Sequence, residues 1–233
     1  MNLPDAEESA AAPPAGASDA TGQRDASMYN RLLASARRVF DRLGWNRATV
    51  QDIVEDAGVS RGSFYVYFDN KRAVFDTLVT SMMDDLYARA EARRPGDTIF
   101  ARLEAGNRAF LEVWARDPDL MKNMSQLSWM DQEAEELLTS MRSRFIARTQ
   151  AAIERHRDSG ITHELDPQLA AAALAGMVES FAMRHFVHGE PRGADYDLET
   201  MSYELTALWY RAVYNDNAPL LPPRGEYLSQ RAG

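Results

Sequence analysis

The sequence predicts an all-α protein in two parts, a small three-helix unit ahead of a larger helical domain. From Ser27 onward apolar residues recur three and four apart, the period of a helix face rather than the alternation of a strand. The breaks between these runs carry Gly, Pro or capping residues, and no alternating run is bounded by hairpin turns, so strands are not expected. The boundaries read as a tail over 1–26, a three-helix unit over 27–75, a helical domain over 76–216 and a second tail over 217–233.

Residues 1–26 mix Ala, Pro, Gly, Ser and acids without apolar periodicity, and such a stretch buries too little surface to offset its ordering entropy. Disorder is expected there. The first helix places Leu32, Leu33, Ala36, Phe40 and Leu43 on its apolar face, with Arg37, Arg38 and Arg42 at polar positions, and ends at Gly44. Thr49 followed three residues later by Asp52 reads as a capping box for a short helix with the stripe Val50, Ile53, Val54 and Ala57. Gly58 supplies a turn, and Ser60 is the natural N-cap of a third short helix over about 60–67. Asp69 and Asn70 offer the cap of a longer helix built on Val74, Phe75, Leu78, Val79, Met82 and Leu86. After Pro95-Gly96, helices are expected near 97–116, 118–130, 132–158, 167–188 and 196–215. From Asn217 the chain carries Pro219, Pro222 and Pro223 and is expected to be irregular.

Composition narrows the function classes. The 233 residues hold no cysteine, which excludes disulfides, thiol catalysis and cysteine-bound zinc and suits a reducing cytoplasm, the expected location. Mean hydropathy is −0.44 and no apolar run approaches the length of a membrane span. Residues 1–26 have no basic start or apolar centre of a signal peptide. The formal charge is −9, but it is unevenly spread: residues 27–75 hold eight basic against five acidic side chains, a balance of +3. An acidic body repels DNA while a local basic face grips it, which favours one docking orientation.

The chemistry concentrates in 59–72, VSRGSFYVYFDNKR. Phe64 and Phe68 lie four apart, as do Arg61 and Tyr65, so apolar and polar residues take separate sides of the same two turns. Phe64 and Phe68 are expected in the core. Ser60, Arg61, Gly62 and Ser63 form the helix tip, the end that a recognition helix presents to base edges. There Arg61 can make a bidentate contact with guanine, Ser63 can donate to base or phosphate, and Gly62 lets two backbones approach. Tyr65, Tyr67 and Lys71 suit phosphate oxygens, which give position rather than sequence information.

The run from Thr49 to Phe75, TVQDIVEDAGVSRGSFYVYFDNKRAVF, resembles the N-terminal signature of TetR-family transcriptional regulators over roughly residues 28–80. Gly58, the Phe64-Tyr65 and Tyr67-Phe68 pairs and Lys71 all stand at the family's spacing. The resemblance implies a three-helix DNA-binding domain with a ligand-binding, dimerising helical domain behind it. By position it makes Gln51, Arg61, Gly62, Ser63 and Tyr65 base-reading or groove-facing residues, and Thr49, Tyr67 and Lys71 phosphate contacts. The segments MVESFAMRHFVHGE and LTALWYRAVYN resemble, more loosely, the ethionamide-resistance-type repressors of that family.

The resemblance further implies a homodimer whose last two long helices pair with their copies. Leu169, Ala172, Ala173, Gly176 and Ser180 offer a small-residue face, and Leu205, Leu208, Trp209 and Val213 an apolar stripe. A cavity for a small, largely apolar effector is expected among helices 97–158 and the start of 167–188, lined by Phe110, Trp114, Met124, Trp129, Phe145, Met177 and Phe181. The implied function is a DNA-binding repressor on a pseudo-palindromic operator, released by that effector. The alternative is a helical interaction module that keeps the fold and acts through a protein partner. No cofactor is expected: His185 and His188 lie three apart but lack a third ligand for a metal. No nucleophile elbow or Gly-rich phosphate loop marks an enzyme.

Overall fold

The computed structural model describes residues 17–91, 97–191 and 196–231. Its elements are α1 (Ala17–Arg47), α2 (Val50–Ala57), α3 (Arg61–Tyr65), α4 (Lys71–Glu91), α5 (Ile99–Arg116), α6 (Pro118–Ser128), α7 (Gln132–Asp158), α8 (Pro167–Ala182), a π-helical turn over Met183–Val187, α9 (Leu198–Val213) and α10 (Arg224–Arg231). Among the described residues the sole β pairing is one isolated bridge, Thr162 to Tyr214. No described helix is long and apolar enough to cross a membrane.

The front unit wraps α2 and α3 against α1, with the start of α4 closing it. Leu32, Phe40, Ile53, Phe64 and Phe75 are fully buried in its centre. Phe75 meets Phe40 edge-on at 5.3 Å and Trp45 at 5.0 Å, the offset geometry that aromatic quadrupoles favour. In the rear domain α5 packs on α9, α7 on α8, and α4 and α6 form the seam to the front.

Three polar devices cross that seam. The Asn123 side chain on α6 is buried; its Oδ1 accepts from the Trp45 backbone N–H at 3.2 Å and its Nδ2 donates to Phe40 O at 3.4 Å. Arg72, at the start of α4, donates to Asp76 at 2.7 Å and to Asp131 at 2.6 Å, and Asp131 is itself the N-cap of α7. Arg37 on α1 pairs with the buried Asp117 between α5 and α6.

Three expectations need correction. Residues 17–26 extend α1 rather than forming part of a disordered tail, while residues 1–16 lie outside the described residues. The second tail is not irregular throughout, because 224–231 form α10. It docks through Tyr227, which packs edge-on to Phe100 at 5.1 Å and whose hydroxyl donates to the buried Glu104 at 3.1 Å, and through Arg224, which pairs with Glu204 at 3.2 Å. Finally, the expected stripe on α9 faces inward, since Leu205, Trp209 and Val213 are buried within the subunit and only Leu208 is exposed.

Candidate nucleic-acid interface and effector cavity

The α2–α3 turn is built from caps. Thr49 and Asp52 form the expected capping box: the Asp52 N–H donates to Thr49 Oγ1 at 3.2 Å and the Thr49 N–H to Asp52 Oδ2 at 2.9 Å. The Thr49 hydroxyl, which donates to Asp52 Oδ2, and then the Thr49 N–H hold the Asp52 carboxyl below its ordinary pKa. Gly58 sits at φ 62°, ψ 41°, the left-handed region that any Cβ would strain, and closes α2. Ser60 then caps α3, accepting from the Ser63 N–H at 3.0 Å.

These caps aim α3. Phe64 is 0% exposed and Phe68 is buried beside it, 5.7 Å between rings. One step around the helix Arg61 and Gly62 are exposed and Tyr65 is 47% exposed, with Ser63 half-buried. Arg61 Nη2 donates to the Tyr65 hydroxyl at 3.3 Å and its guanidinium lies 5.8 Å from the ring, so the two side chains form one outward patch. A Cβ at Gly62 would meet only Ser60 Oγ, at an ordinary 3.7 Å, so nothing within the subunit demands glycine there. On α2, Gln51 is exposed and donates to Glu55 at 2.7 Å.

The residues assigned to phosphate are more committed internally. Lys71 Nζ donates to Trp45 O and Ala48 O, both at 2.8 Å, and lies 4.5 Å from the Trp45 ring. An ammonium has three donors, so one remains for a phosphate. Burial lowers its pKa. Thr49 gives its single hydroxyl proton to Asp52 at 2.5 Å, so a phosphate contact competes with the capping box. Tyr67 is half-buried against Tyr29, 6.1 Å away edge-on. The basic surplus is also partly neutralised: Arg38 and Arg42 both reach Asp56, whose carboxyl is held low first by the Ser35 hydroxyl and then by Arg38.

The rear domain holds several cavities, and two of them meet at Phe145. The first, about 60 Å³, lies among α4, α5, α6, α7 and α8, and its wall includes Phe110, Trp114 and Phe145 as expected. The second, about 580 Å³, lies among the end of α4, α5, α7 and α9, and shares Phe145 with the first. The other expected lining residues stand elsewhere. Trp129 is 88% exposed at the end of α6, and Met124 is buried in the core while Met121, almost one turn earlier, lines the cavity. On α8 the cavity face is Ala175, Val178 and Glu179; Met177 and Phe181 lie on the adjacent face, with Phe181 stacked on His185 at 5.7 Å. The sequence reading missed Met83, Leu86 and Tyr87 of α4, which line the first cavity, and Trp209 of α9, which lines the second. Leu86 and Trp209 stand in the apolar stripes of α4 and α9, whose periodicity marks burial without marking a cavity. No group of three metal-ligating side chains occurs among the described residues.

A capped, outward-facing third helix ahead of a helical domain with internal cavities defines a helix-turn-helix DNA-binding regulator. A family model described as "Bacterial regulatory proteins, tetR family" matches residues 32–78, and one described as "Transcriptional regulator EthR, C-terminal domain" matches residues 103–215. The HTH-type transcriptional regulator EthR of Mycolicibacterium smegmatis is 25% identical over 186 residues, 78% of this chain and 84% of that protein. EthR of Mycobacterium tuberculosis is 26% identical over 191 residues, 80% and 87% of the two chains. SmeT, the repressor of the Stenotrophomonas maltophilia multidrug efflux pump SmeDEF, superposes with a TM-score of 0.64 at 24% identity, covering 84% of this chain and 95% of that one. This chain belongs to the TetR family of transcriptional regulators and binds DNA; its relatives are regulators, not enzymes.

Proposed function

We propose that the chain is a ligand-responsive repressor that binds a pseudo-palindromic operator as a homodimer and is released by a small, largely apolar effector. The observation that carries this reading is the two-sided α3: Phe64 and Phe68 sealed inside, Arg61, Gly62 and Tyr65 outside, with Ser63 at the tip. On this reading Arg61, Ser63, Tyr65 and Gln51 face the groove, Gly62 admits close backbone approach, and Lys71, Tyr67 and Thr49 position the phosphates. Residues 27–75 form the DNA-binding domain and 76–216 the effector and dimerisation domain, with α10 an added cover.

Dimerisation supplies the second half-site, about 34–36 Å away or a multiple of that. The exposed Leu169 on α8 and Leu208 on α9, with Ala172, Ala173, Gly176 and Ser180 also exposed along α8, support pairing through these two helices. The first cavity is well below the roughly 300–1,000 Å³ of occupied ligand sites, so an effector entering it must move its walls. Those walls include α4, which starts beside α3, and Met121 on α6, the helix whose Asn123 holds the end of α1. Binding one arrangement of these helices better than the other is what couples effector to operator.

The test is a mobility-shift assay on fragments selected from genomic DNA by the purified full-length protein. Wild type is expected to shift a pseudo-palindromic fragment and the Arg61→Ala, Tyr65→Ala double variant to lose that shift while melting at the wild-type temperature. Equal shifting by the double variant refutes the assigned surface. Lys71→Ala should weaken all sequences alike and flatten the salt slope by about one unit.

A further inference from the structure

The second cavity differs from the first in charge. Its floor is apolar, with Phe145, Trp209 and Leu103, but Arg102, Arg148 and Arg155 stand on its wall, and no Asp or Glu lines it among the described residues. All three arginines are exposed, so they sit where the cavity meets solvent. Elsewhere in the rear domain Arg89, Arg108, Arg116, Arg142 and Arg224 each pair with a carboxylate. Arg102 and Arg155 have no such partner among the described residues, in a chain whose formal charge is −9. Two cations left unpaired in an acidic protein, at the mouth of one apolar cavity, mark an electrostatic preference of that mouth.

A second observation lies deeper. Trp209 is 2% exposed and lines the cavity, and its indole N–H has no acceptor. An indole nitrogen only donates, and leaving such a donor buried without a partner is costly. Two further polar wall groups are already engaged: Asn107 Nδ2 donates to Thr206 at 2.9 Å, and His156 Nδ1 is 2.8 Å from the Tyr214 hydroxyl; Thr149 completes the polar part of the wall. Burial, then Arg155 and Arg102, lower the His156 pKa, so the ring adds little positive charge and the arginines carry the field.

We propose that this cavity takes an amphipathic anion, a carboxylate or phosphate monoester on an extended apolar body, with its head between Arg102 and Arg155 and its apolar part against Phe145 and Trp209. A planar guanidinium fork matches either head group, and charge-assisted bonds of this kind are stronger than neutral ones. Phe145 is shared with the first cavity, and its ring lies 6.0 Å from Trp209 and 6.4 Å from Phe110. Rotation of that one ring joins the two spaces, so a long apolar body reaches the α4 wall while its head stays at the mouth. The inference rests on the rear domain being the effector site and gives that effector a charge.

Titration calorimetry of the full-length protein with dodecanoate, dodecyl phosphate, methyl dodecanoate and dodecan-1-ol, all below their micelle concentrations, tests it. One or both anions are expected to bind at least about tenfold tighter than the neutral probes, and the tighter anion identifies the head group. In the Arg102→Ala, Arg155→Ala variant that preference should vanish, with binding of the neutral probes and the melting temperature unchanged. Equal affinity for neutral probes, full preference in the variant, or no binding by any probe overturns the proposal. Operator shifting by the unliganded protein, run in parallel, separates this from the regulator reading: intact shifting with no anion preference removes only the anion.

Discussion

The two ends of this molecule differ in how completely their polar groups are satisfied. In the front unit the caps are closed: Thr49 with Asp52, Ser60 with Ser63, Lys71 with the Trp45 and Ala48 carbonyls at and just past the end of α1, Ser35 and Arg38 with Asp56. No buried side-chain donor or acceptor described in residues 26–75 lacks a partner. In the rear domain the Trp114 and Trp209 indoles, the Thr162 hydroxyl and His185 Nδ1 are buried without one. A fully bonded surface is preorganised to read a fixed shape such as a groove. A domain with unmet donors beside cavities retains a reason to change when something enters it. The front is finished before DNA arrives; the rear is not.

Substitutions should therefore act with opposite sign at the two ends. The largest effect is expected from Phe64→Ala, which empties the centre of the front unit and should cost about 3–5 kcal/mol, read as a lower denaturation midpoint with loss of the operator shift. A midpoint unchanged from wild type would mean that α3 does not depend on that core. Thr49→Ala removes one half of the capping box and should cost about 1 kcal/mol in the same measurement.

A smaller effect is pH-dependent. Asp56 is held below its ordinary pKa by Ser35 and Arg38, so its stabilising contribution is present above the unfolded value of about 3.9 and is lost as pH falls through the lower folded value. Asp56→Asn should lower stability at neutral pH and flatten the acid-unfolding limb below about pH 4; an unaltered limb would show that the pair carries no linkage. The smallest change, and the one of opposite sign, is expected at Thr162. Its buried hydroxyl has no partner, so the isosteric Thr162→Val should leave the melting temperature unchanged or raise it. A clear loss there would erase the contrast between the two ends.

Most helices were legible because each begins at a readable cap and breaks at Gly or Pro. Thr49, Ser60, Asp131, Asp166 and Asp197 all accept the cap bonds that their positions imply. α10 was not legible, since its partners are remote in the chain: Glu104, which Tyr227 meets, is more than a hundred residues away. Residues 17–26 were misread because Ala-rich composition fits a helix and a flexible tail equally well. The two-sided α3 could be read because it is local, two turns whose opposite sides differ in chemistry. The cavity could not, because residue type marks Met and aromatic groups without saying which way each faces. Val178 lines the space and Met177 beside it does not.

Asn123 carries a consequence for recombining such proteins. Its single carboxamide clasps both the Trp45 amide and the Phe40 carbonyl, although Asn123 lies far along the sequence from the chain's own boundary near α4. A chimera that fuses this reading head to a foreign sensor at α4 would abandon that clasp unless the donor supplies an equivalent amide. The modules are separable in sequence, yet their mechanical joint is a side chain owned by the rear domain.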